Sequence, residues 1–306
     1  MAKKILITGA SGLIGTLLTE ILLSEGLSVS HLGRTKKEGK VPSFIWDIDS
    51  GGIDTNSLKE VDAVVHLAGA GVADKRWTAK RKKEILESRI KSTDLLFRTL
   101  KNSSHTIKAF ISASAIGYYG FDDDDKIFTE NDLPAKDFLA KVTQQWENEV
   151  DKIKLLDLRV VKLRLGIVLS EKGGALKEIA KPIKLGVGAS LGSGKQCLSW
   201  IHIRDLCGMF VKAIEDEKMS GAYNATTDWC TNKEMTQSIA KILNRSLWLP
   251  AIPSFILKIM LGEMSDMVLK GSKVSSEKIR RAGFQSKFNN LENSIKDLMT
   301  ISLRSR

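Results

Sequence analysis

The sequence predicts an α/β protein: a doubly wound parallel sheet followed by a smaller, mostly helical lobe. Three observations carry that prediction. Apolar, β-branched segments alternate with segments of helical periodicity over most of the chain, a glycine-rich turn joins the first strand to the first helix, and strand signals thin out after residue 217. Taken in order, residues 3–8 are apolar, bounded by glycine, and read as a fully buried strand. Residues 16–25 follow with a helical pattern that stops before Gly26. Residues 28–32, 43–46 and 61–67 read as three further strands, and 78–100 as a long, charged, amphipathic helix. Residues 108–113 are a strand, 141–153 a helix, 156–163 a strand and 205–217 a helix capped by Asp205. Residues 223–225 look like one more strand. Residues 186–194 and the acidic run 122–125 read as surface loops. No internal repeat and no low-complexity linker interrupts the chain, so the lobe should pack directly on the sheet. The expected division is a nucleotide-binding domain over 1–230, with 170–198 contributing to a substrate cleft, and a C-terminal lobe over 231–306.

Composition narrows the class. At 306 residues the chain has room for about two domains. Cys197, Cys207 and Cys230 are scattered and unpaired in spacing, which excludes a disulfide scaffold, argues against a zinc site and points to a reducing, cytoplasmic setting. No metal site is expected. The apolar run behind Lys3 and Lys4 is too short for a signal peptide. The longest apolar stretch, 247–269, is broken by Pro250, Pro253, Lys258, Glu263 and Asp266, so it reads as amphipathic helices covering a core or a cleft, not a membrane span. A soluble monomer or homodimer with no membrane partner is expected. The 47 basic against 36 acidic residues, a net charge of +11, call for an anionic partner of some kind.

The first strand is followed by Thr8-Gly9-Ala10-Ser11-Gly12-Leu13-Ile14-Gly15. Glycines at this spacing let the backbone turn tightly, approach a pyrophosphate and seat the next helix close to the sheet. That helix then offers free N–H groups to phosphates. The position between a strand and a helix is what gives the motif weight. Gly9, Gly12 and Gly15, with Ser11, Leu13 and Ile14 between them, resemble the turn of the extended short-chain dehydrogenase/reductases, a Rossmann-like superfamily, and imply a dinucleotide. At the end of the second strand stand Gly33-Arg34-Thr35-Lys36-Lys37, with no acid before Glu38. An acid there would hold a ribose 2′-hydroxyl, whereas Arg34 and Lys36 suit a 2′-phosphate, so NADP(H) is the expected cofactor. The resemblance places Asp47 at the adenine and Leu67, Ala68 and Gly69 beside the adenosine ribose.

The superfamily's Tyr-x-x-x-Lys pair is missing. Four residues after Tyr118, Tyr119 and Tyr223 lie Asp122, Asp123 and Thr227. By position Phe138 takes the tyrosine's place and Val142 the lysine's, with Lys141 one residue away. Ser114 is the counterpart of the catalytic serine. Tyr118 and Tyr119 could supply a phenol, or could simply pack; they and Lys141 are the surrogate acid–base candidates.

The runs His66-Leu-Ala-Gly-Ala70, Asp74-Lys-Arg-Trp77, Lys82-Lys-Glu-Ile-Leu-Glu-Ser-Arg89, Ser112-Ala-Ser-Ala-Ile-Gly-Tyr-Tyr-Gly120 and Trp200-Ile-His-Ile203 resemble one atypical subgroup. This is the nucleoside-diphosphate-sugar epimerase-like family, whose small C-terminal domain is matched from Leu261-Gly-Glu-Met264 to Ala282-Gly-Phe284. The resemblance spans essentially the whole chain. It implies epimerase or reductase activity on an unidentified small molecule, a nucleotide sugar being one class. It adds Ser112, Glu84 and Arg89 to the cofactor residues, although Glu84 and Arg89 could equally belong to a solvated helix face. It sets Ile167 and Val168 against the nicotinamide and puts Gln196, Trp200 and His202 on a substrate wall, with His202 open to a structural role. Two other readings compete: a non-catalytic NADP(H) sensor acting through a partner, and nucleic-acid binding through Lys75-Arg76 and Lys80-Arg81-Lys82-Lys83. The second lacks any accompanying nucleic-acid motif.

Overall fold

The structure is a computed structural model that describes residues 2–36, 38–121 and 125–304. Lys37 of the basic turn and residues 122–124 of the acidic run lie outside the described residues. The first strand, β1 (Lys4–Thr8), buries Ile5, Leu6 and Ile7 completely, as a strand covered on both faces must. Then follow α1 (Leu13–Ser24), β2 (Ser28–Gly33), β3 (Ser43–Asp47), β4 (Gly52–Ile53) and β5 (Ala63–His66). Next come α2 (Ala79–Lys101), β6 (Ala109–Ala115), β7 (Ile127–Phe128), α3 (Phe138–Asp151), β8 (Arg159–Leu165) and β9 (Ile167–Leu169). The chain continues with α4 (Gly174–Lys184), β10 (Cys197–His202), α5 (Ile203–Glu215), β11 (Gly221–Ala225), β12 (Asp228–Thr231) and α6 (Asn232–Ile242). It finishes with α7 (Ser254–Leu261), α8 (Asp266–Leu269), β13 (Lys273–Val274), α9 (Glu277–Arg281) and α10 (Leu291–Arg304).

The main sheet runs β11-β8-β6-β5-β1-β2-β3-β4, and every neighbouring pair is parallel except β3 with β4. Helices cover both faces: α1 packs with α5, and α2 with α3. The strand order reverses at β1, whose two neighbours are β2 and β5. This reversal is the switch point at which the loops following β1 and β5 meet, at the carboxyl ends of the strands, the place where sheets of this kind take ligands. This is the doubly wound, Rossmann-like sheet that the alternating pattern predicts.

One local reading needs correction. The helix expected to begin at Asp205 begins at Ile203, and its cap is His202, whose Nδ1 accepts from the Arg204 N–H at 3.2 Å. Asp205 instead sits inside the first turn, where its carboxylate accepts from the backbone N–H groups of Lys287 and Phe288. A second sheet, β12-β10-β9, draws on 167–202 as well as 228–231. Its own apolar core joins Leu169, Leu176, Ile183 and Trp200 to Met235, Ile239, Ile295 and Leu298. The intervening α5 and β11 belong to the large sheet, so the two layers exchange chain. Among the described residues no helix is long and apolar enough to cross a membrane, and no cluster of His, Cys, Asp or Glu could hold a metal ion.

Candidate functional site

The site is built from backbone before side chains. Gly9 has φ of +68°, and a Cβ on it would stand 2.8 Å from the Leu67 carbonyl carbon, so only glycine lets the first turn lie against the loop after β5. A Cβ on Gly15 would come within 2.6 Å of Ala10 Cα, so its absence lets α1 start directly on that turn. Gly12 caps α1 with no side chain to satisfy the helix's first N–H groups, which therefore remain available to an anion. Leu13 and Ile14 open the helix, and Ser11 is an exposed residue of the turn. Leu13 also reaches the Gly173–Gly174 loop, 3.7 Å from a Cβ built on Gly173. Ile167 and Val168, half-buried on β9, lie in the same apolar neighbourhood.

Cations stand around this turn. Arg34 and Lys36 follow Gly33 at the end of β2; both are exposed and have no partner among the described residues. Arg89 on α2 donates to the Ala70 and Ile85 carbonyls at 3.0 and 2.8 Å and lies over the Trp146 ring, with no carboxylate partner among the described residues. Burial, helped by the charge of Arg81, pulls its pKa down to about 10. Glu84 does not face it: that carboxylate pairs with Arg81 at 2.8 Å. The Asp47 carboxylate accepts from the backbone N–H groups of Asp49 and Ser50, closing its own turn. In the loop after β5, the N–H groups of Leu67 and Ala68 both point to Thr8 Oγ1, and Gly69 packs under Arg89. Behind the loop, wholly buried His66 lies 2.7 Å from Thr8 Oγ1 through Nδ1, and 3.3 and 3.2 Å from the Ser92 and Thr93 hydroxyls through Nε2. Burial, with the Arg89 charge nearby, lowers the His66 pKa to about 3, so the ring stays neutral and acts as a brace between β1, β5 and α2.

The residues named for acid–base work are dispersed by the fold. Ser114 is buried and donates to Glu147 Oε1 at 2.6 Å. Glu147 also takes Arg164 through two bonds, Nε at 2.8 Å and Nη2 at 2.9 Å, and Lys162 at 3.3 Å. Burial works to raise the Glu147 carboxyl, but the hydrogen bonds and charge of Arg164, with Lys162 and Ser114, prevail and hold it below the usual range. Arg164 Nη1 donates to Tyr119 Oη at 2.8 Å, and Tyr119 donates to Asn224 Oδ1 at 2.7 Å. Burial pushes the Tyr119 phenol up to about 12 despite Arg164, so this tyrosine is a structural link. Tyr118 is half-buried, with the Arg164 guanidinium 3.6 Å from its ring centroid, and its hydroxyl has no partner among the described residues. Lys141 lies on the exposed side of α3. Phe138 packs edge-on to Trp77 at 4.9 Å, with Lys82 Nζ 5.1 Å above its ring. Lys82 also pairs with Glu263, which brings the C-terminal segment to this wall. Ser112 is buried in β6 and donates to the Ala113 carbonyl.

The expected substrate wall is largely structural in its contacts. Gln196 Nε2 ties the Leu191 and Val268 carbonyls together. Trp200 is a core residue of the small sheet. His202 caps α5, stacks on Phe288 at 3.7 Å and faces Asp297 at 3.4 Å; burial lowers its pKa to about 4 in spite of Asp297.

A glycine turn at the switch point of a parallel sheet, with the cations of Arg34, Lys36 and Arg89 around it, defines a Rossmann-like nucleotide-binding protein. The chain belongs to the NAD dependent epimerase/dehydratase family, whose model matches residues 5–226, and residues 252–298 match a domain of unknown function, DUF1731. It is 34% identical to an epimerase family protein of Staphylococcus epidermidis over 305 residues, covering 97% of this chain and 99% of that one. The epimerase family protein YfhF of Bacillus subtilis is also 34% identical, over 300 residues, with 97% and 98% covered. Among solved structures, human epimerase family protein SDR39U1 with NADPH superposes with a TM-score of 0.85 at 30% identity, covering 96% of this chain and 98% of that one. A nucleoside-diphosphate sugar epimerase of Corynebacterium glutamicum gives 0.80 at 27% identity, and this chain, 97% covered, spans 58% of its length.

Proposed function

We propose that this protein binds NADP(H) and passes hydride between the nicotinamide and a carbonyl or hydroxyl carbon of a small molecule, with a nucleotide sugar as the leading substrate class. The observation that carries the reading is the pair of unpaired, exposed cations, Arg34 and Lys36, at the tip of β2 beside the Gly9–Gly15 turn. A 2′-phosphate is the group such a pair suits, and no acid stands there to reject it. NADPH in the human relative and the nucleotide-sugar name of the C. glutamicum protein agree with this choice.

The residues present fit the cofactor. The turn would hold the pyrophosphate on the α1 N–H groups, Arg89 would face a phosphate oxygen, and Leu67 to Gly69 would lie along the ribose. When bound, the nicotinamide supplies or accepts the hydride; the protein supplies orientation, exclusion of water and proton traffic. Transient transfer to the oxidised cofactor gives epimerisation, and net transfer from the reduced cofactor gives reduction. With Tyr119 committed to Asn224 and Arg164, Tyr118 is the phenol left to exchange a proton with substrate.

Titration calorimetry with both cofactors tests the reading. Arg34→Ala should weaken NADPH about 10- to 100-fold, the value of a charge-assisted phosphate contact, and leave NADH unchanged. Equal losses for both cofactors, or none, would refute the 2′-phosphate assignment. A second reading, a cofactor sensor without turnover, is favoured by the internal engagement of Ser114 and Tyr119. It requires a change of oligomeric state or partner on NADPH binding, and identical behaviour in apo, oxidised and reduced forms would eliminate it.

A further inference from the structure

The stretch 247–269 was expected to cover a core or a cleft, yet α7 leaves most of itself uncovered. Leu257 is its one buried residue among eight, while Phe255, Ile259 and Met260 are 62, 71 and 65% exposed. Trp248, 71% exposed, lies six residues before α7, and its Nε1 donates to the Gly186 carbonyl at 2.9 Å, which sets it beside exposed Leu185 and Val187. Main-chain bonds between Ile252 and both Ser190 and Gly192 hold the two stretches side by side. An apolar surface drawn from two packed segments is more than the scattered exposure of ordinary proteins.

The two segments themselves carry charge of one sign, with exposed Glu178 and Glu263 flanking them. Residues 181–192 and 244–262 contain no aspartate or glutamate. They do contain Lys181, Lys184, Arg245 and Lys258, all exposed and without an ion pair among the described residues. A second copy of the chain is a poor occupant, because a two-fold contact would set these four cations against their own copies. Side chains this exposed stand proud of the surface, which suits insertion among acyl chains better than reception of a partner's helix.

We propose that α7 and the adjoining 185–187 and 245–248 segments form a peripheral docking face for an anionic lipid bilayer. Phe255, Ile259, Met260 and Trp248 would enter the headgroup boundary, and the four cations would face acidic headgroups. Docking would place the C-terminal segment that carries Glu263, and with it the Trp77–Phe138 wall, close to the membrane surface. The inference does not depend on the cofactor assignment, and it gives part of the +11 charge a location.

The test is sedimentation of the full chain with vesicles of phosphatidylcholine alone or mixed with phosphatidylglycerol, at low and physiological ionic strength. Binding is expected to the mixed vesicles only, weakening with salt, with a blue shift of Trp248 emission isolated by difference against Trp248→Phe. Replacing Lys181 and Lys184 by glutamine should weaken binding roughly 25-fold, at about fivefold per charge near the surface. Phe255→Ser with Ile259→Ser should weaken it about 100-fold. Both variants change exposed residues and should keep the parent's melting temperature and NADPH affinity. The proposal fails if the parent stays in solution with the mixed vesicles, or if the variants bind as the parent does. It fails equally if an Ile259→Cys chain crosslinks to a second copy while ignoring lipid, which would make this a dimer face.

Discussion

Glu147 offers the sharpest test of how the interior is held together. Its carboxylate and the Arg164 guanidinium each have about 5% of their side chain exposed, and two hydrogen bonds join them. Glu147→Gln keeps the shape and can still accept from Ser114, but it leaves the Arg164 charge buried without its counter-ion. Breaking a buried pair from one side costs about 3–5 kcal/mol, mostly the desolvation of the charge left behind. Lys162 softens the loss slightly, since it keeps Asp151 at 2.7 Å. With an unfolding entropy of about 2 cal/mol/K per residue, a chain of this length should melt about 5–8 °C lower. Replacing both partners by apolar residues of similar volume, Glu147→Leu with Arg164→Met, should restore much of the difference, because no orphaned charge remains. The pH dependence has a definite sign. The folded carboxyl is held below its ordinary value, so its contribution is complete above the unfolded pKa of about 4.3 and disappears as pH falls through the folded value. The gap between parent and Glu147→Gln should therefore close in acid. Scanning calorimetry across pH reads both effects. A single variant melting within about 1 °C of the parent at neutral pH, where the full cost of roughly 3 kcal/mol is expected, would show that Arg164 is stabilised by something other than Glu147.

Other consequences follow from the same geometry. Gly15→Ala sets a methyl 2.6 Å from Ala10 Cα, so α1 must retreat from the turn; NADPH affinity measured by calorimetry should drop at least about tenfold with a stability loss of about 1–3 kcal/mol, and unchanged affinity would contradict the seating of that helix. His66 titrates near 3 when folded and near 6.5 when unfolded. The stability this neutral ring preserves is complete above pH 6.5 and is lost as pH falls toward 3, because the unfolded chain takes a proton that the folded state refuses. Urea titrations between neutral and mildly acidic pH should show a slope about one proton steeper in the parent than in His66→Gln, with buried His202 contributing equally to both; equal slopes would place the titration elsewhere.

The sequence shows what periodicity and local chemistry can encode. Buried β1 and β5, the glycine turn, and the long helix with Thr78 at its N-cap are all legible, because each rests on neighbours within a few residues. Partners far apart in the chain are hidden. Asp205 has the right chemistry for a cap, but the backbone of Lys287 and Phe288 claims it, 82 and 83 positions away. Ser114 has the chemistry to meet a substrate, but its acceptor is Glu147, 33 residues on. A signal for that network did exist. Lys162 and Arg164 alternate on one face of a strand otherwise apolar enough to be buried, and Glu147 and Asp151 sit one turn apart on a helix. Opposite charges inside two core elements call for each other. The two-residue strands β4, β7 and β13 leave no periodicity to read, and the lobe's draw on 167–202 follows from pairings that no local pattern records.

The C-terminal segment ends as a clasp on the large sheet. Ser272 donates to the Gly120 carbonyl at 2.6 Å, across 152 residues of sequence, and its own carbonyl accepts from Ser199. The Ser275 carbonyl takes Asn224 Nδ2, which joins the clasp to Tyr119, Arg164 and Glu147. In the time order of synthesis these bonds become available only after every strand of the large sheet has been made. A nascent or truncated chain would carry Asn224, Tyr119 and the edge of the small sheet with their partners not yet made, and long-range closures of this kind are slow. The protein's window of exposure to aggregation and proteolysis is therefore set less by its nucleotide-binding sheet than by how late residues 272–275 arrive.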